Sequence, residues 1–161
     1  MPSDFRAEVR GLVEAQRNIE ATMAQLHGPE MAQAMRDCTL MVQRDAKLLV
    51  PVDTGRLRAS ITPEVRMDGN EVMGVVGSNV KYAPYIETGT RPHWPPMGAI
   101  WEWVEHKGRG RANVHLSVLR VMRAIAKRGT KAYRYLQGAF EKNEGQIKRR
   151  IDGAVGRIVR R

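Results

Sequence analysis

A chain of 161 residues carrying a formal charge of +10 falls in the single-domain range, where folding buries roughly 70% of the unfolded surface. Its single cysteine, Cys38, excludes an intrachain disulfide, and no apolar run approaches the roughly 20 residues of a membrane-spanning helix. The opening Met1-Pro2-Ser3-Asp4-Phe5 has neither the basic nor the apolar region of a signal peptide, so the expectation is a protein made and kept in the cytoplasm.

From Phe5 onward, Val9, Leu12, Val13, Ile19, Met23 and Leu26 keep near-helical spacing, with Ser3 available as an N-cap. Gly28-Pro29 ends this helix and opens a second, in which Met31, Met35, Cys38, Val42, Ala46 and Leu49 form one stripe. The two predict an antiparallel helical hairpin over 1–49; the methionines on the stripe suit either a core or a surface that adapts to a partner. Pro51 stops the second helix. Between Ala59 and Val76 the period changes to two, with Ala59, Ile61, Val65 and Met67 on one face, and Asp68-Gly69-Asn70 turns the chain into Glu71–Val76. This reads as a β-hairpin whose Pro63, unable to donate to a ladder, marks an edge. A sheet that small is expected to find more sheet or a neighbouring subunit.

Pro95-Pro96 opens a helix bearing Met97, Ile100, Trp101 and Val104, closed by Lys107-Gly108 and followed by a basic linker at Arg109-Gly110-Arg111. Another amphipathic helix places Leu116, Leu119, Met122 and Ile125 inward and ends at Gly129. A last one, from about Leu136 to Arg161, sets Phe140, Ile147, Ile151, Val155 and Ile158 on one side. Because interior glycines cost about 0.5 to 1 kcal/mol each relative to alanine, Gly138, Gly145, Gly153 and Gly156 imply that packing must order that helix. The whole reads as α+β: an N-terminal helical hairpin, a small antiparallel β-sheet and C-terminal helices packed on it. It forms a single domain over 1–161, with residues 50–96 holding the β-hairpin and a motif loop, and 97–161 helical.

Two segments crowd turn-forming residues against apolar ones: Pro51-Val52-Asp53-Thr54-Gly55-Arg56-Leu57-Arg58-Ala59-Ser60-Ile61, and Gly77 through Tyr82-Ala83-Pro84-Tyr85-Ile86-Glu87-Thr88-Gly89-Thr90-Arg91-Pro92 to Pro96. Together with Arg128-Gly129-Thr130-Lys131 before the last helix, they resemble the tail-completion and head–tail joining family of long-tailed bacteriophages, over roughly Leu40 to Asn143. The resemblance implies a structural virion protein at the neck, assembled as a homo-oligomeric ring, as a rule a hexamer. Its neighbours would be head-completion and tail-tube or tail-terminator subunits, and passing DNA could touch it. The family motif falls on Pro51, Asp53, Thr54, Gly55, Arg56, Leu57, Tyr82, Ala83, Glu87, Gly89, Thr90 and Pro92, as structural or interface positions. In that pattern Glu87 pairs with a basic group of the same or an adjacent subunit.

Read for chemistry, Asp53-Thr54-Gly55 matches an aspartic-protease half-site, which needs two carboxylates about 3 Å apart sharing a proton. Arg56 and Arg58 beside it favour the ionised form and oppose that sharing, and the bland alternative makes Asp53 and Thr54 turn or cap acceptors and Gly55 a positive-φ residue. His27, His93, His106 and His115 lack metal-ligand spacing. No catalytic, cofactor or metal set is expected, and hence no enzyme. Tyr82, Tyr85, Trp94, Trp101 and Trp103, beside Lys81 and Arg91, suit a local packing knot or a base-stacking surface. Up to His106 there are 11 basic and 14 acidic side chains, whereas Lys107 onward holds 16 basic and 3 acidic. That cationic third, with Lys148, Arg149, Arg150, Arg157, Arg160 and Arg161, suits a polyanion, either DNA or an acidic protein surface. Non-enzymatic nucleic-acid binding is therefore the alternative reading.

Overall fold

The structure, a computed structural model, describes residues 3–26, 28–68, 71–106 and 114–160, with the backbone alone for 3–13, 15 and 106. In order come α1 (Ser3–Leu26), α2 (Pro29–Leu49), α3 (Arg56–Ser60), β1 (Ile61–Asp68), β2 (Glu71–Ser78), α4 (Ala83–Thr88), α5 (Met97–His106), α6 (Val114–Arg128) and α7 (Tyr135–Val159). The class is α+β, with a two-stranded sheet in the order β1-β2. The predicted turn at Asp68-Gly69-Asn70, the cap at Lys107-Gly108 and the linker at Arg109-Gly110-Arg111 lie wholly or partly outside the described residues, as do His27 and Arg161. The chain divides into two compact units, one of Met1–Arg44, Thr62–Val76 and Phe140–Arg161, the other of Asp45–Ile61 and Gly77–Ala139.

In the first unit, Met31 and Ala34 of α2 meet Ala154 and Ile158 of α7 in a buried cluster, flanked by Leu26, Val72, Ile151 and Val155. Thus the C-terminal helix packs on the sheet through β2 and on α2, as its glycines required. Pro29 begins α2 at a position where a missing N–H is harmless, and Glu30 in its first turn and Lys47 in its last suit the helix dipole. β2 comes so close to α2 that a Cβ on Gly74 would lie 2.7 Å from Thr39 Cγ2. Burial along β1 alternates through Ile61, Pro63 and Val65, the period that the sequence shows.

In the second unit, Val104 of α5 and Val118 and Met122 of α6 are each 1% exposed, with Ile100, Trp101, Trp103, Val114 and Val121 around them. At about 1.5–3 kcal/mol per buried side chain, this cluster is what holds the two helices together. Trp101 stands edge-on to His115 with centroids 4.7 Å apart, and its indole N–H donates to Glu105 at 2.8 Å.

Several expected core positions are solvent-facing instead. Ile19 and Met23 on α1 are 60% and 51% exposed, because no described element covers that stretch of the helix. Leu49, the last residue of α2, is exposed between the buried Ala46 and Val50, so it points away from the side they cover, and Met97, the first residue of α5, is exposed as well. Leu116 sits two positions, or about 200° of helix, from the buried Val118, so it faces away. Phe140 follows the buried Ala139 and is likewise rotated outward; the true stripe of α7 is Tyr135, Ala139, Asn143, Ala154 and Ile158. Asp45 and Asn143, each 1% exposed, are buried polar residues on stripes read as apolar.

Candidate functional site

The Pro51–Ile61 segment is a connection with a short helix in it. Gly55 precedes α3 at φ +78, the left-handed conformation expected of it, and Thr54 Oγ1 accepts the Arg56 N–H at 3.4 Å. The Ala59 N–H closes on the Gly55 carbonyl at 2.9 Å, so Ala59 is helical and exposed and does not belong to the strand face predicted for it. The cause is local: Gly55 supplies a start, and Leu57, 5% exposed, fixes the turn in the core. Asp53 is exposed between two helices, away from the β-loop setting that a shared-proton aspartate requires.

The second segment is anchored to the first by hydroxyls. Ser60 Oγ donates to the Leu57 carbonyl at 2.8 Å and lies 2.7 Å from Ser78 Oγ. With its proton committed, Ser60 accepts from Ser78, whose own oxygen accepts the Val80 N–H at 3.1 Å. Past this link, Ala83–Thr88 forms α4, with Pro84 in its first turn and Gly89 ending it at φ +72. Ala83 is buried, while Tyr82, Tyr85 and Trp94 are 41%, 60% and 61% exposed. Of the five aromatics read as a packing knot or a stacking surface, these three are exposed, whereas Trp101 and Trp103 are partly buried against the α5–α6 cluster. Pro51 is half-buried, and Pro92 is exposed.

The third segment closes on the second. Thr90 and Thr130 exchange backbone hydrogen bonds of 3.2 and 3.3 Å in an isolated antiparallel bridge, and their hydroxyls lie 3.0 Å apart. Gly129 makes this approach possible, with φ +72 and no Cβ to strike the Thr90 carbonyl oxygen. The Tyr133 and Arg134 N–H groups then donate to the carbonyls of Ile86 and Glu87 at 2.9 and 3.0 Å. Within the single chain, Glu87 is held by backbone amides and by no basic side chain among the described residues, which bears only on the same-subunit half of the expectation. Its two carboxylate oxygens accept the Leu136 and Gln137 N–H groups, each at 2.9 Å, and so cap the start of α7. Four orphan donors begin any helix, and a carboxylate there also complements the dipole. The Tyr135 hydroxyl beside this cap is buried with no hydrogen-bond partner among the described residues. Burial, and next the negative charge of Glu87, push its pKa above the usual tyrosine value.

Between the first two segments lies a cavity of about 460 Å³ lined by Arg56, Ser60, Asn79, Val80, Lys81 and Tyr82. On α7, the cations are partly neutralised at home. Arg157 Nε donates to Glu30 at 2.7 Å, Arg150 lies 3.5 Å from Asp37, and Arg160 donates to the Gly156 carbonyl. Lys148 and Arg149 are exposed. Nearby, burial raises the Cys38 thiol pKa, countered by the Arg150 charge. Among the described residues, no group of three or more His, Cys, Asp or Glu is placed to hold a metal ion, and no helix is long and apolar enough to cross a membrane.

With this frame in place, comparison with known families is informative. Residues 14–89 match the family described as "Bacteriophage HK97-gp10, putative tail-component". Over that stretch the chain is similar to a phage tail component. The match takes in α1 from residue 14 onward, α2, the hairpin and the motif segments as far as Gly89, starting earlier and ending earlier than the resemblance seen in the sequence. It covers just under half of the chain. No curated protein and no solved structure matches the chain.

Proposed function

We propose that this protein is a structural subunit of a tailed-phage virion, assembled as a closed homo-oligomeric ring at the joint between head and tail. The ring is a hexamer, and its neighbours are head-completion and tail-tube or tail-terminator subunits. The observation that carries the reading is the tail-component match over 14–89. The hydrogen-bonded frame agrees with it: the family-motif residues serve as caps, turns and bridges, which is what a subunit needs to hold one shape in a repeated lattice. Apolar side chains left exposed at Ile19, Met23, Leu40, Leu48 and Phe140 supply surface for neighbours to cover. Negative-stain images and light scattering of the full chain should give closed rings, and a gold label on it should decorate the neck of the virion. Monomers alone at high concentration, even with the other neck proteins added, would sink the proposal.

A second reading has its own observation, the exposed Lys148 and Arg149 on α7 and Arg160 just past its end. Three phosphate contacts give a slope of log affinity on log salt of about −3 for duplex DNA. Negligible binding at low salt would end this reading and leave the ring untouched. Exchange of Asp53 for Asn should leave assembly intact, and any cleavage lost with it would reopen the protease reading.

A further inference from the structure

From Val114 to Phe140 the sequence holds no aspartate or glutamate. On α6, Arg120, Arg123 and Lys127 recur at intervals of three and four residues and so form one stripe, about 10 Å long at the helical rise. All three are exposed, on the side away from the buried Val118 and Met122. The Thr90–Thr130 bridge sets a second group at the end of this stripe. Arg128 and Lys131 flank Gly129-Thr130, and Gly129 stands so close to Arg91 that a Cβ on it would lie 2.9 Å from the Arg91 carbonyl carbon. Arg91, Arg128 and Lys131 are exposed as well. Among the described residues none of these cations has a carboxylate partner. On α7, by contrast, Glu141, Glu144 and Asp152 are interspersed with the cations, and Arg150 and Arg157 are held by Asp37 and Glu30.

Resting on the nucleic-acid reading, we infer that the DNA backbone is contacted by the α6 stripe and the cations at the Thr90–Thr130 bridge, and not by α7. Cations crowded together without counter-charges repel one another. A polyanion laid along them removes that repulsion and releases its own condensed counterions. The surface is also prepared for contact. Backbone hydrogen bonds tie Thr130 to Thr90, Tyr133 to Ile86 and Arg134 to Glu87, so the chain that carries Arg91 and Lys131 is already ordered and binding has less entropy to remove. Tyr133, 55% exposed between Lys131 and Arg134, adds a hydroxyl of the kind that donates to phosphate. A protein neighbour fits this surface less well, because protein–protein interfaces are depleted in lysine and centre on desolvated anchors, whereas DNA-binding surfaces are far more cationic. Phosphate contacts carry no base information, so the binding is independent of sequence.

Fluorescence anisotropy of the full chain on a labelled DNA duplex, repeated across a range of salt, tests this. Six phosphate contacts give a slope of log affinity on log salt of about −5 per bound subunit, against about −3 for three contacts at Lys148, Arg149 and Arg160. The triple variant Arg120→Gln, Arg123→Gln, Lys127→Gln should bring the slope to about −3. Its circular dichroism should match wild type, since the side chains are exposed and glutamine suits a helix as well as arginine or lysine does. Arg120→Lys with Arg123→Lys should keep the wild-type slope, because the charge is what acts. Lys148→Gln with Arg149→Gln should bind as wild type does. A slope flattened by the α7 pair and untouched by the α6 triple would overturn the inference and leave the nucleic-acid reading standing, whereas no wild-type binding at low salt ends both. Polyglutamate bound as tightly as the duplex would make the surface a site for acidic protein, and would also overturn it.

Discussion

Replacing Glu87 by Ala removes two charge-assisted hydrogen bonds of 2.9 Å from the first turn of α7 and leaves the Leu136 and Gln137 N–H groups without acceptors. A hydrogen bond to a charged group contributes about 1.5–3 kcal/mol, and loss of a helix cap about 0.5–2 kcal/mol. Glu87 is half-buried, so water recovers part of the loss, and the two bonds share one carboxylate, so they do not add fully. The expected destabilisation is about 2–3 kcal/mol, or about 5–10 °C in Tm at this chain length. Glu87→Gln keeps an oxygen for one N–H but loses the charge at the helix start, worth about 0.3–1 kcal/mol, and should fall roughly halfway. Urea unfolding measures the magnitude, and amide hydrogen exchange measures the location: protection should drop first at Leu136 and Gln137. An alanine variant within about 0.5 kcal/mol of wild type, with unchanged exchange at those amides, would refute the capping role.

Three further substitutions probe the close approaches and the buried hydroxyl. Gly129→Ala combines a positive φ of 72° with a collision against the Thr90 carbonyl oxygen; it should cost at least about 2 kcal/mol and abolish the Thr90–Thr130 bridge, visible as loss of protection at both amides. Gly74→Ala puts a methyl 2.7 Å from Thr39 Cγ2 and should destabilise by about 1–3 kcal/mol; adding Thr39→Ser removes the opposing methyl and should return much of it, a coupling read from a double-mutant cycle. Tyr135→Phe should be neutral or stabilising near pH 7, since it deletes a buried hydroxyl that lacks a partner among the described residues. With the folded pKa raised above the unfolded value near 10, the stability tied to the neutral phenol is complete below about pH 10 and fades as pH rises through the folded value. The phenylalanine variant should therefore lose less stability than wild type between about pH 10 and 11 in urea titrations, and identical slopes would contradict the buried phenol.

Helices and strands were legible because each imprints a period. Pro29, Pro51 and Gly129 punctuate them where the sequence places the breaks, and the positive φ at Gly55 follows from its turn chemistry. Exposure was less legible. Leu116 and Phe140 obey a helical spacing, yet the covered stripe lies one or two positions away, and only the partner helices decide which stripe is covered. Glu87 read as a lone carboxylate seeking a base, because its partners are backbone amides 49 and 50 residues away, which no side-chain pattern announces. Similarly, Asp45 and Asn143 sit on stripes whose neighbours are apolar, and only the fold shows them buried.

The separation of the three motif segments in sequence is itself a physical clue. Thr90 and Thr130 bridge across 40 residues, and Ser60 and Ser78 across 18, so each link closes a loop at an entropic cost that rises only slowly with length. The Thr90–Thr130 bridge lies inside the loop that the Glu87 cap closes at Leu136, so forming the bridge shortens the effective loop for the cap, which fixes the start of α7 against the same frame. The frame is thus cooperative: loss of the bridge should weaken the cap beyond the bridge's own hydrogen bonds. The groups that converge are hydroxyls, backbone amides, positive-φ glycines and one carboxylate held by N–H donors, a set that fixes the geometry of the frame.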